Sequence, residues 1–123
     1  MHKKRILTVD DEPSFTRLVK LCLESTGDYE VRAQNDATSA LEVAEQFKPD
    51  LILLDMVMPK MHGRDIAARI HSSPLLQGTP VVLLTATVTR DRVAGTPKID
   101  GCKVLAKPIA LRELVSAIEE TLS

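Results

Sequence analysis

Four consecutive apolar residues, Leu51-Ile52-Leu53-Leu54, run straight into Asp55 with no polar residue among them. A strand with one face in water alternates polar and apolar positions, so an unbroken run describes a strand covered on both faces. Strands of that kind belong to parallel sheets with helices packed on each side. Ile6 to Val9 repeats the signature and ends in Asp10, Asp11 and Glu12. Two buried strands that each deliver carboxylates at the C-terminal end are the strongest constraint in this chain.

The segments between them supply the helices. Pro13 and Ser14 can open a helix in which Phe15, Leu18, Val19 and Cys22 recur at helical spacing until Gly27 stops it. Glu30 to Ala33 reads as a weak second strand. Asp36 can cap a helix with Ala37, Ala40, Leu41, Ala44 and Phe47 on its apolar face, closed by Pro49. Gly63 to His71 is a short helix with Ile66, Ala67 and Ile70 inward. Pro80 to Leu84 forms strand four, running into Thr85. Residues 88 to 97 carry Val88, Thr89, Val93, Gly95 and Pro97, all poor in helix interiors, so any helix there is short or frayed. Cys102 to Ala106 is strand five, Lys107-Pro108 a turn, and Leu111, Leu114, Val115, Ile118 and Leu122 mark a last helix.

Five β-then-α units in strict alternation predict one domain over residues 1–123. Its class is α/β, a doubly wound five-stranded parallel sheet with the flavodoxin-like order 2-1-3-4-5. In that order strands one and three lie side by side at the switch point, where ligands bind beyond the strand C-termini. Asp10, Asp11 and Asp55 should then share a cleft with Thr85 from strand four and Lys107 from strand five.

Composition removes several functions. The 16 Lys and Arg against 17 Asp and Glu leave a net charge of -1, with no positive field to hold nucleic acid. No apolar run approaches the roughly 20 residues needed to cross a bilayer. The basic start, Met1 to Arg5, is followed by an apolar stretch only as far as Val9, too short for a signal-peptide core. A cytoplasmic protein is expected. Cys22 and Cys102 make neither a disulfide framework nor a metal site of usual spacing, and both are expected as buried thiols.

Three carboxylates in one cleft repel by about 4 kcal/mol per pair at 4 Å and an effective dielectric near 20, so they call for a cation. An open, all-oxygen site suits Mg²⁺ better than a metal that prefers nitrogen or sulfur. Beside such an ion and Lys107, Asp55 should stay ionised and able to attack phosphorus, with Lys107 and the Thr85 hydroxyl facing the phosphoryl oxygens. Singly, Asp10 or Asp55 would more often be a helix cap, Thr85 a strand-end hydroxyl and Lys107 a surface cation. Gly63 reads as a turn residue needing positive φ, and His62 as a solvated loop side chain.

Val9-Asp10-Asp11-Glu12-Pro13, Leu54-Asp55-Met56-Val57-Met58-Pro59 with Gly63, Leu84-Thr85-Ala86 and Lys107-Pro108 together resemble a response-regulator receiver domain along the whole chain. The resemblance implies that Asp10 and Asp11 hold Mg²⁺ with Asp55 and the main-chain carbonyl of Val57. It also implies that a histidine kinase or histidine phosphotransfer protein phosphorylates Asp55, that Thr85 moves onto the phosphate and that Lys107 pairs with it. Such a domain is a switch, with no turnover beyond its own phosphorylation and dephosphorylation, and it signals to an output protein that the sequence does not specify. The chain departs from the family at Val104, three residues before the Lys, where a Tyr or Phe is usual.

Two other readings fit less of the chain. An aspartyl phosphatase of the haloacid-dehalogenase type would need a second Asp two residues after its nucleophile, and Val57 stands there after Asp55. A receiver-like interaction module not switched by phosphate is suggested by Val104 but leaves the acid, Thr and Lys set without a purpose.

Overall fold

The computed structural model describes residues 3–56, 63–85, 98–99, 102–106 and 110–122. Its elements follow in the order β1 (Lys4–Val9), α1 (Pro13–Glu24), β2 (Tyr29–Gln34), a 3₁₀ turn (Ala37–Ser39), α2 (Ala40–Phe47), β3 (Leu51–Asp55), α3 (Gly63–Ser72), β4 (Val81–Thr85), β5 (Lys98–Ile99), β6 (Cys102–Ala106) and α4 (Leu111–Leu122).

The sheet order is β2-β1-β3-β4-β6-β5. Its first five strands are parallel, in the order expected for five alternating units. The two-residue β5 is an addition the sequence did not signal; it pairs antiparallel with β6 through Lys98 to Lys103 and Ile99 to Cys102.

The apolar run of β3 is explained by the two cores. Ile52 and Leu54 join Leu7, Val9, Ile66, Ile70 and Leu83 beneath α2 and α3. Leu51 and Leu53 point the other way, into Ile6, Val19, Leu23, Val82, Leu114 and Ile118 beneath α1 and α4. All five residues of β3 are buried, Asp55 included.

Helix ends follow local chemistry. Pro13 occupies the first turn of α1, where its missing N–H costs nothing. The Asp36 carboxylate accepts from the Thr38 N–H and caps the 3₁₀ turn that leads into α2. At the other end of α2, Lys48 precedes Pro49, which disfavours the right-handed α region for it. It adopts φ 54° instead, and its N–H still reaches the Ala44 carbonyl at 2.9 Å.

Two expectations about α1 are corrected. Its inward residues are Thr16, Val19 and Leu23, with Phe15 packed at their edge, whereas Leu18 is half exposed and Cys22 only partly buried. The apolar residues of α1 cover more than one face, so periodicity alone placed the stripe about one position out of turn.

Candidate functional site

β1 and β3 are adjacent and in register, with Val9 opposite Leu54. The next residue on each strand is an acid, so Asp10 and Asp55 leave the sheet side by side, and Asp11 follows at the start of the β1–α1 turn. Carboxylate oxygens of Asp10, Asp11 and Asp55 all lie within 4.8 Å of one another. Asp10 is 1% exposed and Asp55 6%, while Asp11 faces solvent.

Each acid is placed by the main chain around it. The Asp10 N–H donates to the Gln34 carbonyl at 3.1 Å, one last rung beyond the end of β1. Its carboxylate Oδ1 accepts the Glu12 N–H at 3.0 Å, which turns the chain from β1 into α1. Its carbonyl oxygen accepts from Asn35 Nδ2 at 2.8 Å, and the same Nδ2 donates to Thr16 Oγ1 at 3.0 Å. Below Asp55, the Met56 N–H continues the ladder to the Leu84 carbonyl at 2.8 Å, and the Gly63 N–H donates to the Met56 carbonyl at 2.9 Å.

Gly63 is constrained here by contact. A Cβ at this position would fall on the Asp55 carbonyl oxygen and 2.8 Å from Met56 Cα. The sequence motivated this glycine as a turn residue with positive φ; Gly63 is instead the first residue of α3, and its need for a missing Cβ comes from the start of that helix resting directly on the backbone that carries Asp55.

Of the other expected site residues, Thr85 closes β4 in register with Ala106, one step past the Leu84 that pairs with Asp55. The Thr85 side chain, Val57 and Lys107 lie outside the described residues, as do His62 and residues 88 to 97. The chemistry of the three carboxylates is that of a hard-cation site: all donors are anionic oxygens, two are held rigidly in the fold, and the third opens to water.

The profile of the response regulator receiver domain matches residues 6–119. The chain belongs to this family. Among receiver domains of known structure it is similar to the chemotaxis protein CheY4 of Vibrio cholerae, at 25% identity and a TM-score of 0.84, covering 97% of this chain and 98% of that one. A CheY-like receiver domain protein from Methanospirillum hungatei superposes with a TM-score of 0.82 at 27% identity, covering 98% of this chain and 94% of the other. Among curated relatives, the alkaline phosphatase synthesis transcriptional regulatory protein PhoP of Bacillus subtilis is 35% identical over 120 residues, which is 97% of this chain and 48% of that protein. The transcriptional regulatory protein TrcR of Mycobacterium tuberculosis is 36% identical over 116 residues, 93% of this chain and 43% of that protein. This receiver domain thus spans about half the length of the curated relatives it matches. No helix among the described residues is long and apolar enough to cross a membrane.

Two residues that shape the site were not singled out from sequence. Asn35 follows a weak strand and sits beside the better cap Asp36, and Thr16 lies outside the apolar stripe of Phe15, Leu18, Val19 and Cys22. No local signal marked Thr16, because only docking of α1 on the sheet turns it inward.

Proposed function

We propose that this receiver domain is the phosphoacceptor of a two-component relay, taking a phosphoryl group on Asp55 from a histidine kinase or a histidine phosphotransfer protein. The convergence of the Asp10, Asp11 and Asp55 carboxylates at the C-terminal edge of β1 and β3 carries this reading. Asp10, Asp11 and Asp55, with the main-chain carbonyl of Val57, would hold Mg²⁺, which when bound offsets the charge of the crowded carboxylates and of the incoming phosphoryl oxygens.

Asp55 acts as the nucleophile. One carboxylate oxygen attacks the phosphorus of the donor phosphohistidine, the P–O bond forms as the P–N bond breaks, and the imidazole leaves with the electron pair. Burial of Asp55 limits its hydration, and the fixed backbone at Met56 and Gly63 limits the orientations it samples. The Thr85 hydroxyl donates to one phosphoryl oxygen, and the Lys107 ammonium pairs with another. Hydrolysis of the acyl phosphate returns Asp55 to its starting state, so the domain is a timed switch. Relatives of about twice the length are named as transcriptional regulators. The signal is therefore proposed to pass to an output protein or domain, with no direct nucleic-acid contact by the receiver domain and a cytoplasmic site of action.

Labelling with acetyl phosphate or a phosphorylated partner tests the proposal. Label is expected only with Mg²⁺ present and is expected to vanish in Asp55→Ala. Undiminished labelling of that variant would remove the assignment.

A further inference from the structure

Asn35 Nδ2 spends both of its hydrogens inside the protein. One goes to the Asp10 carbonyl at 2.8 Å and the other to Thr16 Oγ1 at 3.0 Å. Thr16 Oγ1, having accepted that bond, donates onward to the Pro13 carbonyl at 3.1 Å. The direction of the chain is forced, because a carbonyl only accepts and the amide must turn its nitrogen toward Asp10. Thr16 is 1% exposed, so loss of its hydroxyl partner would not be made good by water.

These bonds tie three segments that are far apart in sequence. Asn35 leaves the end of β2, Asp10 leaves the end of β1, and Thr16 and Pro13 belong to the first turn of α1. The turn so enclosed, Asp10 to Pro13, is the one that carries Asp10 and Asp11. With the Gln34 carbonyl holding the Asp10 N–H and Asn35 holding its C=O, the peptide groups on both sides of Asp10 are clamped by β2 and the residue after it.

We infer that Asn35 and Thr16 are positioning residues, a latch that sets where the Asp10 and Asp11 carboxylates stand relative to Asp55 and so tunes affinity for the divalent cation. The inference rests on the phosphoacceptor reading above and extends it to two residues that touch neither cation nor phosphate. An outer partner of a metal ligand typically contributes about tenfold or more in affinity. The latch works through the backbone rather than on a ligand side chain, which places it at the lower end of that range.

Calorimetric titration of MgCl₂ into the intact chain tests this on wild type, Asn35→Ala, Thr16→Val and Thr16→Ser. Val keeps the shape of Thr and removes the hydroxyl; Ser keeps the hydroxyl. Asn35→Ala and Thr16→Val are expected to weaken Mg²⁺ binding about tenfold, and Thr16→Ser to restore most of it. Acetyl phosphate labelling should return close to the wild-type rate at saturating Mg²⁺, separating affinity from the transfer step. In EDTA, amide exchange of Glu12 should quicken in Asn35→Ala while the β3 amides stay unchanged. Equal Mg²⁺ affinity in wild type, Asn35→Ala and Thr16→Val would overturn the latch and leave the phosphoacceptor reading intact. A wild type that binds no Mg²⁺ would remove both together, and the two failures are told apart by the wild-type titration.

Discussion

Gly63 acts through the side chain it lacks. The first turn of α3 lies against the Asp55 carbonyl and Met56 Cα, and both are backbone atoms that cannot rotate away from an added methyl. Gly63→Ala is therefore expected to lower stability by about 2–3 kcal/mol, although alanine is the better helix former. The same displacement should move Asp55 and slow its labelling more than the stability loss alone would. Urea unfolding and a labelling time course measure both effects. A change within about 0.5 kcal/mol, the scale of an ordinary surface substitution, would mean that α3 shifts freely and does not brace Asp55.

β2 forms one edge of the sheet, where unpaired main-chain groups can recruit another strand. Two side chains of α1 cover part of it. Glu24 Oε2 accepts the Val31 N–H at 3.1 Å, and Lys20 Nζ donates to the Val31 carbonyl at 3.2 Å. Lys20 and Glu24 stand four residues apart, one helical turn, so they reach the same strand residue from one face of α1. Replacing both by Ala is expected to remove about 1–2 kcal/mol, to speed exchange of the Val31 amide and to introduce self-association that grows with concentration. An unchanged exchange rate at Val31 would show that the two side chains do not guard the edge.

The first residue of β2, Tyr29, reports on the same corner. Burial first, then the carboxylates of Glu119 and Asp28, push its phenol above the ordinary value of 10.0. Both causes favour the neutral form in the folded protein. The contribution to stability is complete below about pH 10, where both states are neutral. Above that the unfolded chain ionises first, and the contribution is lost as pH rises through the folded value. As the protein has one Tyr and no Trp, tyrosinate absorbance reads this group alone. Ionisation is expected at higher pH in the native protein than in urea, and Glu119→Gln should narrow the gap. Coincident native and denatured titrations would contradict it.

At the scale of the whole molecule, the question is how far a phosphoryl group at Asp55 is felt. On the proposed phosphoacceptor reading, it would add about −1.5 to −2 charge at one end of the sheet. Val104 lies on β6 opposite Leu83, 3% exposed and packed in the core beneath α2 and α3. A Val side chain is short and stiff about χ1, so it cannot exchange between buried and exposed positions as an aromatic ring does. Beryllium fluoride binding is therefore expected to shift amides near the C-terminal ends of β1, β3 and β4, with small changes along 103–106 and α4. Val104→Tyr should extend the response toward β6. Wild-type shifts already as wide as those of the Tyr variant would show that the switch reaches this face by another route.

The sequence by itself determined the class of fold and the cluster of acids. An unbroken apolar run at 51–54, short and ending in an acid, reads as a strand covered on both sides, and β–α alternation then leaves few ways to order five parallel strands. Because residues at strand C-termini share one edge of such a sheet, Asp10, Asp11 and Asp55 were brought together by topology alone. What tertiary structure decided was rotation, contact and closure. Leu18 and Cys22 fit a helical period as well as Thr16 and Leu23 do, and only docking of α1 on the sheet selects the inward face. β5 is two residues long and exists because β6 offers a partner, so no local propensity announced it. The roles of Gly63 against Asp55 and of Asn35 beneath Asp10 join residues 8 and 25 positions apart. Period and propensity describe neighbours along the chain; these contacts join the ends of different elements, which the sheet holds together.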